Sequence, residues 1–448
     1  MINNLLKKII GNDIKDKIVL KNIILSFGIR GMALALALIK MPMYIKYFNN
    51  EEILGIWFTI LSILTWIFNF DLGIGNGLRN KLVKPIEEKN ELEARKYISS
   101  GYLSITIVTI LIGTILAIII PQINWNSFFN TTTNLISNNT FSNVIFTVLI
   151  GLLIQFILKL INSIFYALQK SFFPGLLNFI SELLLLIVIM SLNKDITITN
   201  KLEIIAISYS LCMIVPLFIA NIIMFTTKLK NSKPSIKYFS TRYAKLILTL
   251  GGMFFWIQIM YMIIVNTNEY LITWFIGPKY VVEYQIYYKI FSMVGTLFTL
   301  MLTPMWSMVT KALNNNDLEW IQKLYNKLIK VTILAIFAEF LIIPFLQFLI
   351  NMWLGKNAIE VNYWFSIIFA ISGSLMIWNG VISTIVNGLG KLKIQFVFMT
   401  SGVIINIPLA YILCNLLNSW IGVVLANIVS FMPYCIIQPI FIKKYINN

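Results

Sequence analysis

The chain has 448 residues, 58% apolar and only 12% charged, with a formal net charge of +17. A soluble globular domain carries about twice that share of charge, so a water-soluble protein is excluded. The absence of histidine removes the side chain most used for acid–base work and metal ligation, and Cys212, Cys414 and Cys435 have neither disulfide nor zinc-site spacing.

In chain order, Met1 to Lys21 sets Ile2, Leu5, Leu6, Ile9 and Ile10 at near-helical spacing between lysines. That pattern fits an amphipathic helix on the inner leaflet or a disordered leader, and it has no apolar core and cleavage site of a signal peptide. Twelve apolar spans follow: 22–45, 53–78, 98–120, 144–167, 174–193, 204–227, 246–267, 280–307, 328–350, 363–386, 395–417 and 421–442. Each is long enough, at about 20 residues, to cross a hydrocarbon core of about 30 Å. The seventh stays apolar past Asn266 to Ile276, as one long helix projecting from the membrane would. No loop exceeds about 23 residues, and no G-x-x-x-x-G-K-[ST] phosphate loop occurs, so neither an extramembrane catalytic domain nor a P-loop ATPase is expected.

Orientation follows from the basic residues. With the N-terminus inside, 26 of the 35 Lys/Arg fall in cytoplasmic segments, and only Lys46, Lys194, Lys201, Lys279 and Lys356 fall outside. The loop from Pro121 to Asn143 has no charge at all. Both termini are therefore expected in the cytoplasm of a bacterium, with the protein multi-pass in its inner membrane. The basic excess then reflects topology and attraction to anionic membrane lipids, and no nucleic-acid partner is expected.

An internal repeat divides the chain. Lys46-Tyr47-Phe48 through Leu82 aligns with Thr273-Trp274-Phe275 through Val309 at an offset of 227, and Tyr166-Ala167-Leu168-Gln169-Lys170 aligns with Asn387-Gly388-Leu389-Gly390-Lys391 at an offset of 221. An all-α membrane protein of about twelve transmembrane helices in two six-helix lobes follows. The expected division is a cytoplasmic leader over 1–21, an N-lobe over 22–227, a cytoplasmic loop over 228–245, a C-lobe over 246–442 and a cytoplasmic tail over 443–448. Transporters often hold substrate between such repeats, which rock against each other.

Ionisable residues inside spans are the candidate functional groups: Arg30, Lys40, Asp71, Lys159, Glu182, Lys289 and Glu339. Each costs about 2.5–3.5 kcal/mol on insertion scales if it faces lipid, so they must border water, pair or snorkel. Cations in a wet cavity, namely Arg30, Lys40, Lys159 and Lys289, would bind an anionic substrate, phosphate above all. The carboxylates Asp71, Glu182 and Glu339 would couple an H+ or Na+ gradient to transport. The structural alternative is pairing, for example Lys159 with Glu182. Pro42, Pro216, Pro304, Pro344, Pro408, Pro433 and Pro439 mark kinks within or at the ends of spans.

Four motifs carry a family resemblance: Asp71-Leu72-Gly73-Ile74-Gly75-Asn76-Gly77-Leu78-Arg79-Asn80, Phe275-Ile276-Gly277-Pro278 with Tyr284 and Lys289, Leu302-Thr303-Pro304-Met305-Trp306-Ser307, and Asn387 to Lys391. With them the chain resembles the polysaccharide (O-antigen, Wzx-type) flippase branch of the superfamily that also holds MATE-type multidrug exporters and lipid II flippases. The resemblance implies a MATE-like fold of two lobes around a central, cation-lined cavity. It also implies ion-gradient coupling without a bound cofactor. The implied cargo is an undecaprenyl-pyrophosphate-linked oligosaccharide moved to the outer leaflet for O-antigen or capsule, with the polymerase of the same pathway as a candidate partner. Asp71, Asn76 and Arg79 are the family-like polar end of the second span. Where the family often has an acid, this chain has Asn268, and the acid is displaced to Glu269, a fourth coupling candidate.

The competing expectation is a cation-coupled multidrug antiporter of the MATE type, for which a less cationic, aromatic and acidic site would be anticipated. A membrane-embedded glycosyltransferase or polymerase should carry a large charged periplasmic loop, and Pro121–Asn143 offers none. The protein is thus expected to be a transporter and not an enzyme.

Overall fold

The computed structural model describes residues 14–50, 53–57, 60–61, 73–128, 136–192, 196–277, 280–354 and 359–447. Among them there is no strand, and ten helices are long and apolar enough to cross a membrane. The ten cover the third to twelfth expected spans. The first is covered by α1 (Ile14–Phe48), and the second lies largely outside the described residues. The rest of the N-terminal half comprises α2 (Ile74–Glu87), α3 (Glu91–Ile119), the short α4 (Trp125–Phe128), α5 (Asn138–Ala167), α6 (Phe173–Ser191) and α7 (Ile198–Thr226). Then follow α8 (Thr241–Asn266), α9 (Asn268–Phe275), α10 (Tyr280–Asn314), α11 (Leu318–Ile342), α12 (Leu346–Leu354), α13 (Tyr363–Leu389), α14 (Lys393–Leu417) and α15 (Ile421–Asn447).

Several helices begin before their apolar run. α3 starts seven residues before the apolar stretch at 98, because the Asn90 side chain accepts a hydrogen bond from the Glu93 amide and Glu91 and Glu93 sit in the first turn, where the helix dipole favours acids. α11 starts in the same way from Asp317, whose carboxylate accepts from the Trp320 amide. The seventh span is not one long helix. It breaks at Thr267 into α8 and α9, where the Thr267 hydroxyl donates to the Ile263 carbonyl and competes with the helical ladder.

Packing divides the chain into two units. One comprises Ile24–Gly252, so the segment over 228–245 and the first turns of α8 pack with the N-terminal helices. Its core is built where α5 lies against α7, α2 and α3, around Trp57, Tyr47, Phe141, Leu78 and Ile161. At Gly151 a Cβ would lie 2.5 Å from the Ser210 Oγ, so α5 and α7 approach more closely than any larger residue permits. Lys201 is buried rather than in a loop: its amine donates to the Phe48 carbonyl at 3.4 Å, and its own carbonyl accepts from the Tyr47 hydroxyl at 3.0 Å, tying the end of α1 to α7.

The other unit comprises Met253–Asn448 with residues 1–23. Here α13 packs on α10, α11 and α15, and α14 on α15, over an aromatic core of Tyr287, Phe291, Phe365, Phe369 and Trp420. The Tyr287 and Phe369 rings stack at 5.4 Å, and Phe365 meets Trp420 edge-on at 5.0 Å. Gly422 sets the α14–α15 distance, since a Cβ there would stand 2.5 Å from the Cys414 amide nitrogen.

The repeat read from sequence recurs as turn geometry inside each unit. Lys89 and Asn316, 227 residues apart, both take a left-handed φ of 54°. Each turn is closed alike, by Asn90 N–H to the Pro85 carbonyl at 2.9 Å and Asp317 N–H to the Ala312 carbonyl at 2.8 Å. Gln169 and Gly390, 221 apart, repeat a second turn at φ 60° and 66°. There the amide of Lys170 bonds the Phe165 carbonyl at 2.8 Å and that of Lys391 the Val386 carbonyl at 3.3 Å. These are helix C-terminal turns, in which a left-handed residue lets the next amides cap the final carbonyls.

Candidate transport site

The ionisable residues within spans meet different fates. In the N-terminal unit Lys40 of α1 forms an ion pair with Glu182 of α6, with side-chain exposures of 19% and 27%. The sequence offered Lys159 as the partner of Glu182, but the pairing goes to Lys40. Lys159 on α5 is half-buried, and Arg30 on α1 is exposed. Asp71 lies outside the described residues. The polar end of the second span continues into α2, where Arg79 is 3% exposed and its guanidinium lies 4.4 Å from the Tyr166 ring centre. Tyr166 opens the repeated motif at the end of α5, so two motifs found separately in sequence pack together. A desolvated cation over an aromatic face is worth about 2 kcal/mol.

In the C-terminal unit Lys289 of α10 is exposed, with its amine 5.9 Å from the Trp353 ring centre. Glu269 at the start of α9 is exposed and accepts a hydrogen bond from Gln285. Glu339 of α11 differs from all of these. It is 0% exposed, and neither carboxyl oxygen has a hydrogen-bond partner in the structure. It faces Gly373 of α13 so closely that a Cβ on that glycine would lie 2.8 Å from Oε1. An unpaired carboxylate away from water costs several kcal/mol at least, so such a group calls for a proton or a cation.

Gly373 is also part of the wall of a cavity of about 190 Å³ within the same unit, formed by α8 to α10, α13 and α15. Its lining mixes aromatic rings with neutral hydrogen-bonding groups, among them Tyr261, Tyr284, Tyr288, Asn268, Asn427 and Thr296, and among the described residues contains no charged side chain. A buried amide chain leads away from it. Asn427 donates to the Asn268 Oδ1 at 3.0 Å, Asn268 to the Tyr284 hydroxyl at 3.0 Å, and Asn406 to the Asn427 Oδ1 at 2.8 Å and the Ser430 Oγ at 3.3 Å. The Asn406 Oδ1 ends the chain without a partner. These links join α9, α10, α14 and α15. Of the four cations and four carboxylates singled out in sequence, none of the seven that lie among the described residues lines this cavity, and Glu339 stands behind its glycine wall. A search restricted to ionisable groups passes over the amides. The available signal was their occurrence at Asn406 and Asn427, inside otherwise apolar spans.

No group of three or more metal-ligating side chains occurs among the described residues. A cavity lined by rings and neutral polar groups, beside an isolated carboxyl, can bind a ligand and exchange an ion; it offers no nucleophile–base pair.

Comparison with known proteins agrees with a transport architecture. The MatE family model matches residues 253–412, within the C-terminal unit. No curated protein matches the chain in sequence. Among solved structures, a MATE transporter in complex with MaD3S superposes with a TM-score of 0.77 at 15% identity, covering 99% of both chains. A multidrug resistance MATE family transporter of the MOP superfamily, in an outward-facing conformation, gives a TM-score of 0.72 at 15% identity over 98% of both chains. A MOP superfamily transporter from Pyrococcus furiosus, described as having a binding pocket of reverse polarity, gives 0.71 at 15% identity, covering 99% of this chain and 98% of that one. The chain is a multi-pass membrane protein with the fold of MATE transporters, and it carries a MatE sequence segment over 253–412.

Proposed function

We propose that the protein is an ion-coupled exporter of the MATE type that works by alternating access. Glu339 carries this reading: a fully buried carboxyl without a partner, one glycine away from a cavity, is placed to gain a proton or monovalent cation in one state and lose it in another. Of the other coupling candidates, Glu182 is held by Lys40 and Glu269 by Gln285. Cation-coupled multidrug antiport is the form of this reading that the similarity to MATE transporters supports. Both termini are assigned to the cytoplasm and the protein to the bacterial inner membrane, on the asymmetry of its basic residues.

A second cargo is favoured by a specific observation. Arg30 and Lys159 put two cations on membrane helices of the N-terminal half besides Lys40, whose charge Glu182 balances, an unfavourable setting for a cationic drug and a suitable one for a pyrophosphate. An undecaprenyl-pyrophosphate-linked oligosaccharide, passed to the outer leaflet for surface polysaccharide and its polymerase, is the corresponding flippase reading.

The test uses proteoliposomes with an imposed proton or sodium gradient, one set loaded with ethidium and one with a fluorescent polyprenyl-pyrophosphate glycan. Gradient-driven movement of either cargo, reduced at least tenfold in Glu339→Gln, is expected. Movement that ignores both gradients and the substitution would refute ion coupling at this residue. The cargo that moves decides between the two readings.

A further inference from the structure

We propose that the cavity of the C-terminal unit is a binding site for an uncharged, hydroxyl-bearing ring, as presented by a sugar residue, and that neither organic cations nor phosphate bind there. The inference deepens the exporter reading and rests on it for its role in transport, though not for the binding itself.

Charge comes first. Among the described residues the lining holds no Asp, Glu, Lys or Arg. Glu339 lies behind the wall, where the bare Cα of Gly373 meets it, and Glu269, the acid beside Asn268, is engaged by Gln285. A bulky ion entering this cavity would touch no charged side chain of the described lining, and shedding its water there without direct pairing costs several kcal/mol. A neutral ligand escapes that penalty.

The polar groups present both halves of a hydrogen bond. The Tyr284 hydroxyl accepts from Asn268 and so keeps its own proton to donate. Tyr288 is a second tyrosine of the lining. The hydroxyls of Thr296 and Thr299 donate to carbonyls one turn back, at 2.9 Å each, which leaves their oxygens as acceptors. Asn427 and Asn268 are held in place by one another, so their remaining amide protons and lone pairs point in set directions. A hydroxyl group both gives and takes a hydrogen bond, and a ring carrying several is the ligand that satisfies alternating donors and acceptors. An acyl chain would strand them unpaired, at about 1–3 kcal/mol per group.

The apolar part fits the same ligand. The Tyr284 and Tyr288 rings stack 5.6 Å apart, and Phe369 lies 5.9 Å from Tyr284. Flat aromatic faces cover the C–H face of a ring while its edge hydroxyls reach the amides, the usual division of labour in a ligand pocket. The volume of about 190 Å³ accommodates one ring with its substituents. The site would therefore hold a single sugar of a larger cargo.

The full-length chain in lipid nanodiscs provides the test, with saturation-transfer NMR against methyl glucoside, tetraphenylphosphonium and inorganic pyrophosphate. Methyl glucoside is expected to bind and the two ions not to bind in this cavity. Gly295→Leu, which points into open space (its Cβ would have only Ile377 within 4 Å, at 3.9 Å), fills the cavity and should abolish the glucoside signal. The isosteric pair Tyr288→Phe with Thr296→Val keeps the shape and should weaken binding at least fivefold. Retained size-exclusion profiles and tryptophan fluorescence verify folding of both variants. The proposal is overturned if glucoside does not bind, if its binding ignores both variants, or if tetraphenylphosphonium binds and is lost in Gly295→Leu. Gradient-driven export measured in parallel separates the two claims: binding without export removes the exporter reading and leaves the site, and export without glucoside binding does the reverse.

Discussion

Burial, not residue type alone, distinguishes the carboxylates of this protein. Glu182 and Glu269 have partners and Glu339 has none. Removing one partner of a fully buried ion pair costs about 3–5 kcal/mol; Lys40 and Glu182 are part-buried, so Lys40→Met should lower thermal stability in detergent by less than that. Lys40→Met with Glu182→Leu should recover much of that loss; a double variant as unstable as the single would show that the pair contributes specific geometry beyond charge balance. Gly373→Ala is the complementary test at Glu339. Its methyl group would meet Oε1 at 2.8 Å, and overpacking of that kind costs about 1–3 kcal/mol. Combination with Glu339→Ala should relieve most of the penalty, as read from the melting temperature.

Elements in this protein end where backbone chemistry dictates, and the repeat makes that visible twice. Gln169 and Gly390 occupy equivalent left-handed positions, yet only one is glycine. A left-handed non-glycine residue costs about 1–2 kcal/mol relative to glycine. Gln169→Gly is therefore expected to stabilise the N-terminal unit by about 1 kcal/mol, and Gly390→Gln to destabilise the C-terminal unit by a similar amount. Thermal unfolding of the two variants measures the pair, and equal signs for both would contradict equivalence of the turns. Helix starts needed more than apolar runs to locate. The Asn90 and Asp317 caps were present in the sequence, but the amphipathic first turns of α3 and α11 fall outside any hydropathy window. The break at Thr267 is another matter: Asn266, Asn268 and Glu269 are a short polar interruption in an otherwise apolar run, and the Thr267 hydroxyl bond to Ile263 together with the place of Asn268 in the amide chain rewards stopping the helix there.

For the whole molecule, orientation is testable without a structure of any further state. Cys212, Cys414 and Cys435 are buried, so background labelling of intact cells is low. A membrane-impermeant maleimide should label Glu360→Cys, in the exposed segment between α12 and α13, and should not label Lys230→Cys until the cells are opened. The opposite pattern would invert the topology read from basic residues.

The sequence alone determined the class of molecule, because spanning a bilayer forces long apolar helices whatever their packing, and because the repeat leaves matching short motifs in both halves, at 166–170 and again at 387–391. The charged candidates were legible too, since a carboxylate at bilayer depth is conspicuous wherever it points. Which of them remains unpaired was not legible: Lys159 is far nearer to Glu182 in sequence than Lys40 is, yet the approach of α1 to α6 gives Glu182 to Lys40. The neutral cavity was equally hidden. Asn268, Asn406 and Asn427 become one hydrogen-bonded chain only when three helices bring them within 3 Å, and no spacing along a single helix encodes that meeting.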